Sequence, residues 1–275
     1  MGRKQVSSLS TNRVSPGQYF RRQKLLMTLF LLGMILLSAW AGMLTGFETL
    51  DAFTAIPKVV GWMATNLIPD AKALSRFPRI FEKLVETISM SIMASVTAAV
   101  VAFPFALMGS VTTRPNGFFA ALSRLIASVN RNIPIAAWAM IFLIAFGQSA
   151  FTGFLALFFA TFGFLTRAFM ETIDEASASS VEALRAAGAS YPHMVAQAVI
   201  PGSLPQMLSW LLYMIETNIR SATLVGLLTG SGIGFMFSIY YKSLQYKSAA
   251  LVVISIVVVV LLIEMTSNAL RRVIL

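Results

Sequence analysis

The feature that most limits what this chain can fold into is the length of its uncharged blocks. No Lys, Arg, Asp or Glu occurs between Asn132 and Thr166, or between Leu25 and Phe47. About 20 consecutive apolar residues in a helix cross the hydrocarbon core of a bilayer. In lipid every backbone N–H and C=O must be paired internally, which leaves helices or a closed barrel. Barrel strands would read as blocks of about ten residues with strict alternation. The stretch "LLMTLFLLGMILLSAWAGMLTGF" at 25–47 does not alternate, so the chain reads as an all-α polytopic membrane protein. Its 12% content of charged residues, against about 25% in soluble domains, agrees with that reading.

Six spans are expected. The first is Leu25–Phe47, a retained anchor after a polar arm at 1–24, and the second is Glu86–Ser110, bent by Pro104. The uncharged block from Asn132 is too long for one helix, and "FGQSA" at 146–150 supplies a turn. It therefore divides into a third span ending near Gly147 and a fourth over Phe151–Phe169. The fifth runs from just after Pro201 to about Leu227, and the sixth over Ala249–Leu270. The segment 48–85 mixes charge with short apolar patches and is read as small helices on the outer surface. Of the Lys and Arg residues between spans, 13 fall on the side of the amino-terminal arm, the 174–201 loop and the tail (Arg271, Arg272), against 7 on the other. The positive-inside bias then puts both termini in the cytoplasm.

Several chemistries are excluded. The net charge of +10 lies between spans rather than on one soluble face, so no nucleic-acid partner is expected. Without cysteine there is no disulfide framework, thiolate metal site or cysteine nucleophile. His193 is the only histidine, so no His-based triad or H-E-x-x-H zinc site exists, and it reads as a surface residue. The methionines are scattered singly and read as pliable packing residues. "TGSGIG" at 229–234 is not a P-loop. It reads as a helix break at Gly230, Gly232 and Gly234 near a gate, with anion contact by its N–H groups as the alternative.

Two polar constellations stand out from this background. "VEALRAAGASYPHMVAQAVIP" at 181–201 is a Gly-punctuated island in which Val181, Leu184 and Ala187 share a face. Gly188 ends the first helix in the left-handed conformation, Ser190 can cap a second, and Pro201 closes it. An apolar knob with flanking charges suits a groove on a partner, or an amphipathic loop lying on headgroups. In the fifth span Glu216 and Arg220 are spaced i, i+4 and can pair. Ionisable groups at that depth face a bundle interior or a water-filled path. An oxyanion path and an internal ion pair that fixes packing both remain open.

Glu182-Ala183, with Gly188 six residues on and Pro201 thirteen further, resembles the "EAA" loop of membrane subunits of ATP-binding-cassette importers. Leu184 stands for the second Ala, and Ala198 and Ile200 stand where Ile and Leu are usual. "VNRNIPIAAWAMIF" at 129–142 and "ETNIRSATLVGLLTGSGIG" at 216–234 are similar to segments of the phosphonate (phosphonate/phosphite) importer permeases. The resemblance implies a type I importer transmembrane domain: a permease core over 86–275 with its coupling loop at 174–201, in the bacterial inner membrane. It implies that Glu182, Ala183, Leu184, Gly188 and Pro201 dock into an ATPase subunit. Glu216, Asn218, Arg220, Ser221 and Thr223 would belong to the path of phosphonate, phosphite or hypophosphite. The implied partners are a second copy of the chain, two ATPase subunits that use the ATP and Mg, a periplasmic binding protein and the bilayer. The chain itself would be no enzyme and bind no cofactor. An importer of another solute such as methionine is the alternative, and an ion-coupled carrier is weaker because it would place carboxylates in several spans.

Overall fold

The computed structural model describes residues 16–46 and 49–274, in two compact units, 1–63 and 64–275. Arg3, Lys4 and Arg13 of the amino-terminal arm, and Phe47 at the end of the first expected span, lie outside the described residues. In the first unit α1 covers Pro16–Thr45. From Phe20 onward nearly every side chain is exposed, including Phe30, Ile35, Leu37 and Met43 on all sides of the helix. A helix apolar around its full circumference is stable in lipid and not in water.

Residues 49–85 are largely helical. They comprise α2 (Thr49–Asn66), α3 (Ala71–Leu74) and the first turns of α4 (Phe77–Gly109), so the second span starts at Phe77 rather than Glu86. Asp70 caps α3 by accepting the Ala73 N–H at 2.8 Å, and that bond holds its carboxyl below its ordinary range.

The second unit is built around α7 (Ala150–Ala186), which packs against α4, α5 (Gly117–Asn132), α6 (Ile135–Phe146) and α9 (Ile200–Thr229). The α4 face on α7 is a ladder of Ala94, Ala98, Ala102 and Ala106, all fully buried. Small residues let two helices approach closely, which is how helices associate where lipid supplies no hydrophobic drive. Short α10 (Gly232–Lys242) and α11 (Tyr246–Ile274) complete the bundle.

Three further expected boundaries change. The third span is not one helix ending at Gly147, because α6 has 12 residues, about 18 Å, and cannot cross a core of about 30 Å. It is joined to α5 at a 92° bend. Pro134 forces the bend by holding Ile133 extended, at φ −85° and ψ 119°. Arg124 and Arg131 therefore lie on a helix, not in a loop. The fourth span does not stop at Phe169: α7 continues for 37 residues, about 55 Å, so the first helix of the polar island is its far end.

The fifth span does not start at Pro201 either. α8 (Tyr191–Met194) runs through a π turn (Val195–Val199) directly into α9. The Ile200 N–H bonds back to the Val195 carbonyl, which moves the break in the helical ladder to the point where Pro201 has no N–H to give. Among the described residues five helices are long and apolar enough to cross a membrane, or six with the bent pair taken as one span.

Candidate functional site

Polar residues gather at three levels of the second unit: the turn at Gly188, the middle of α9, and the helix break at Gly232. At the turn, Gly188 has φ +79°. Its N–H bonds the Arg185 carbonyl at 3.1 Å, and the Ala189 N–H bonds that of Leu184 at 3.0 Å. These are the two bonds of a Schellman motif, which needs a left-handed residue at that position. Ser190 takes the extended N-cap conformation but makes no side-chain capping bond.

The apolar side of the island is turned inward. Val181, Met194, Ala198 and Val199 are buried against Ile173 and Met207, with Leu184 half-buried beside them. Of the expected outward knob only Ala187 is exposed, beside Ala183, Ala186 and Tyr191, and flanked by Glu182, Arg185 and His193. Leu184 belongs to the support of the turn, whereas Gly188 and Pro201 are exposed.

A tether unforeseen in the sequence joins this end of α7 to the α4–α5 connection. The Asp174 carboxylate accepts from the Ser110 hydroxyl at 2.5 Å and from the N–H groups of Val111 and Thr112 at 3.1 and 2.9 Å. Arg185 donates to the Thr112 carbonyl at 3.1 Å from the other side. No sequence pattern links Ser110 to Asp174; only the packing of α4 on α7 brings them together.

In the middle of α9, Glu216 lies between two arginines. Its carboxylate is 3.0 Å from the Arg220 guanidinium and 3.3 Å from that of Arg271. The i, i+4 pair was legible in the sequence, and Arg271 was not, having been counted as a tail charge. Side chains lean toward the amino end of their own helix, so Arg271 and Glu216, on helices running opposite ways, reach toward each other. The Glu216 side chain is 9% exposed, that of Arg271 25% and that of Arg220 46%. Two guanidiniums share one carboxylate, and the cluster keeps one positive charge with Arg220 as its open face.

Of the other expected path residues, Asn218 points away from that face, whereas Thr223, seven residues on from Glu216, lies on it. Asn218, two residues on, is about 200° round the helix and is buried. Its amide donates to Ser95 on α4 and Thr161 on α7, at 2.8 and 2.7 Å, so it clasps three helices instead of lining an opening. Ser221 and Thr223 are half-buried.

At the Gly232 end, Gly230 and Gly232 have φ +69° and +58°, and α9 gives way to α10 there. The Gly232 N–H donates to Glu86 at 3.1 Å and the Ile233 N–H to Thr87 at 2.8 Å. These two N–H groups of the break are thus already taken by α4. Gly234 is held by proximity alone, since a Cβ there would lie 2.0 Å from the Thr223 carbonyl oxygen. No group of three or more possible metal ligands occurs among the described residues.

Residues 102–274 match the family model described as "Binding-protein-dependent transport system inner membrane component". The chain is 29% identical over 241 residues to the phosphite transport system permease protein PtxC of Stutzerimonas stutzeri, covering 87% of this chain and 86% of that one. It is 30% identical over 192 residues to the putative phosphite transport system permease protein HtxE of the same organism, covering 70% and 74%. Among solved structures it superposes on the inward-facing MetNI methionine ABC transporter with a TM-score of 0.62 at 18% identity, covering 71% of this chain and 96% of that one. A bacterial ABC transporter that imports alginate matches with a TM-score of 0.56 at 17% identity, over 92% and 98%. These two likenesses show the fold, a type I importer transmembrane domain. An all-helical bundle, a matched model over most of the chain and two phosphite permease relatives agree: the chain belongs to the family of binding-protein-dependent transport system inner membrane components.

Proposed function

We propose that this chain is the membrane permease of an ATP-driven importer for a phosphorus oxyanion of the phosphite or phosphonate class. The carrying observation is the Glu216–Arg220–Arg271 cluster. It fixes one uncompensated positive charge at mid-span, where an ionisable group is otherwise costly. An anion leaving a periplasmic binding protein would meet the open face of Arg220, and Glu216 would hold the guanidinium and keep the anion from being trapped. The names of the phosphite relatives support that substrate class. Two copies of the chain would enclose the path, and two ATPase subunits, using ATP and Mg, would grip the exposed turn at Glu182, Ala183 and Gly188. Glycines 230, 232 and 234 would form the break beside the outer gate. The basic-residue bias supports a cytoplasmic Gly188 end, and a cysteine at Ser190 is then expected to react with impermeant reagent only from the cytoplasmic side; labelling in intact cells would reverse the orientation.

The test is phosphite uptake by proteoliposomes holding the permease, its ATPase and its binding protein. Arg220→Gln removes a charged hydrogen-bond donor worth roughly 1.5–3 kcal/mol, so uptake should fall about ten- to a hundredfold while the complex assembles and hydrolyses ATP. Normal uptake, or a defect explained wholly by lost protein, would rule out the path role. Gly188→Val and Glu182→Lys should leave the protein in the membrane and uncouple it from the ATPase. Undiminished substrate-stimulated ATP turnover in both would refute the docking role.

A further inference from the structure

A second basic site, which sequence reasoning dispersed into loops, lies between α5 and α7. Arg124, Ser128 and Arg131 recur at i, i+4 and i+7 and form one stripe along α5. With Arg167 and Glu171 of α7 they line a polar cavity of about 340 Å³. Three guanidiniums and one carboxylate leave it with two surplus positive charges.

The members are not equivalent. Arg124 is occupied structurally, its Nε donating to the Gly109 carbonyl at the end of α4 at 2.9 Å. Arg167 pairs with Glu171 at 2.6 Å, both about half exposed. Arg131 is exposed and makes no hydrogen bond or ion pair among the described residues. Its backbone is nonetheless fixed, because the bend it sits on is seated on Gly163, where a Cβ would lie 2.5 Å from the Arg131 nitrogen. The cavity thus presents a free guanidinium on a rigid mount and a second one held by a carboxylate that an anion could replace.

Its place in the bundle says what reaches it. Beside the basic stripe on α5 runs an apolar one, Phe118, Leu122, Leu125 and Val129, all exposed. An element that carries an apolar stripe and a charged stripe side by side, outside its buried face, separates lipid from water. Along α7, Ala150–Thr166 carry no charge, so Arg167 stands about 26 Å from the Ala150 end, near the limit of a 30 Å core. It is also about 30 Å short of Gly188, well away from the turn. One helical turn from Arg167, Phe164 packs on Tyr213 at 5.9 Å, and Tyr213 shares with Arg220 the open face of α9. An aromatic contact thus joins the helix that carries Arg167 to the α9 face that carries Arg220.

We propose that the Arg131–Arg167 cleft binds a tetrahedral phosphorus oxyanion, on Arg131 and in exchange for the Glu171 carboxylate on Arg167. Resting on the function proposed above, the anion is the transported one, held at the exit from the path. An anionic lipid headgroup has the same chemistry at the same depth, and the experiment separates the two sources.

The assembled complex in nanodiscs is treated with phenylglyoxal, with and without phosphite, and modification of each arginine is read by mass spectrometry. One nanodisc set is phosphatidylcholine only, and the other contains phosphatidylglycerol. Phosphite is expected to slow modification of Arg131 and Arg167 several-fold in both sets, and Arg131→Gln/Arg167→Gln should lower phosphite uptake about tenfold with ATP hydrolysis retained. Protection by phosphatidylglycerol and not by phosphite upholds the oxyanion site and assigns it to lipid. No protection by either overturns the proposal, and full uptake by the double variant overturns its place on the transport path. Protection in a complex that takes up no phosphorus oxyanion would defeat the transport reading and leave the cleft standing; normal uptake with no protection would defeat the cleft alone.

Discussion

Replacing Glu216 by alanine should cost the protein about 1–3 kcal/mol of stability, because it leaves the largely buried Arg271 without its carboxylate. Here two guanidiniums lose their shared carboxylate, and Arg271 also has a buried Nε with no partner among the described residues. Arg220 is half exposed and can turn to water, so most of the cost falls on Arg271. Thermal unfolding of the solubilised protein should show Glu216→Ala melting well below wild type, and Glu216→Ala/Arg271→Gln recovering part of the loss. A double variant no more stable than the single would mean that Arg271 does not depend on Glu216. The cycle also separates the two roles of the cluster, since Arg220→Gln should leave stability nearly unchanged while it impairs transport.

Gly234→Val should prevent accumulation of folded protein. A Cβ at 234 would meet the Thr223 carbonyl at 2.0 Å and the Leu227 nitrogen at 2.8 Å, and both are backbone atoms of α9 that no rotamer change can move. The cost should exceed the roughly 1–3 kcal/mol of ordinary core overpacking. Gly188→Ala makes the instructive contrast. Nothing lies within 4 Å of a Cβ at 188, so its penalty is only the strain of φ +79°, about 1–2 kcal/mol, and the protein should remain folded. The amount of protein in the membrane and the melting temperature check both. A Gly234→Val protein that melts near wild type would show that α9 and α10 do not cross as closely as described.

What the sequence disclosed follows from the range of the forces involved. Uncharged length located the spans, because transfer into lipid is a property of each segment by itself. Gly188 was legible because a helix ending in the left-handed conformation is a local event, and Glu216–Arg220 because i, i+4 geometry is fixed by the helix. The bend at Pro134 was missed for a different reason. Arg124 and Arg131 interrupt the apolar run and invite a loop, although their i, i+7 spacing already marks one helical stripe. Asn218 was grouped with Glu216 through the resemblance of the 216–234 segment, yet residues two apart on a helix point nearly opposite ways. Arg271 at Glu216, and Asp174 at Ser110, depend on which helices pack together, and no local pattern carries that.

The two arms that leave the Gly188 turn differ mechanically. One is α7, a strut of 37 residues without a break, its last turns braced to the α4–α5 connection through Asp174 and Arg185. The other returns through the π turn, Pro201 and Pro205, where the ladder of helical bonds is interrupted and a helix bends most easily. A load applied at the turn would therefore pass along the unbroken strut to the α5–α6 bend seated on Gly163. On the returning arm the same load would bend the helix at the π turn before it reached Glu216. A push at one point would then become a translation on one side of the bundle and a tilt on the other.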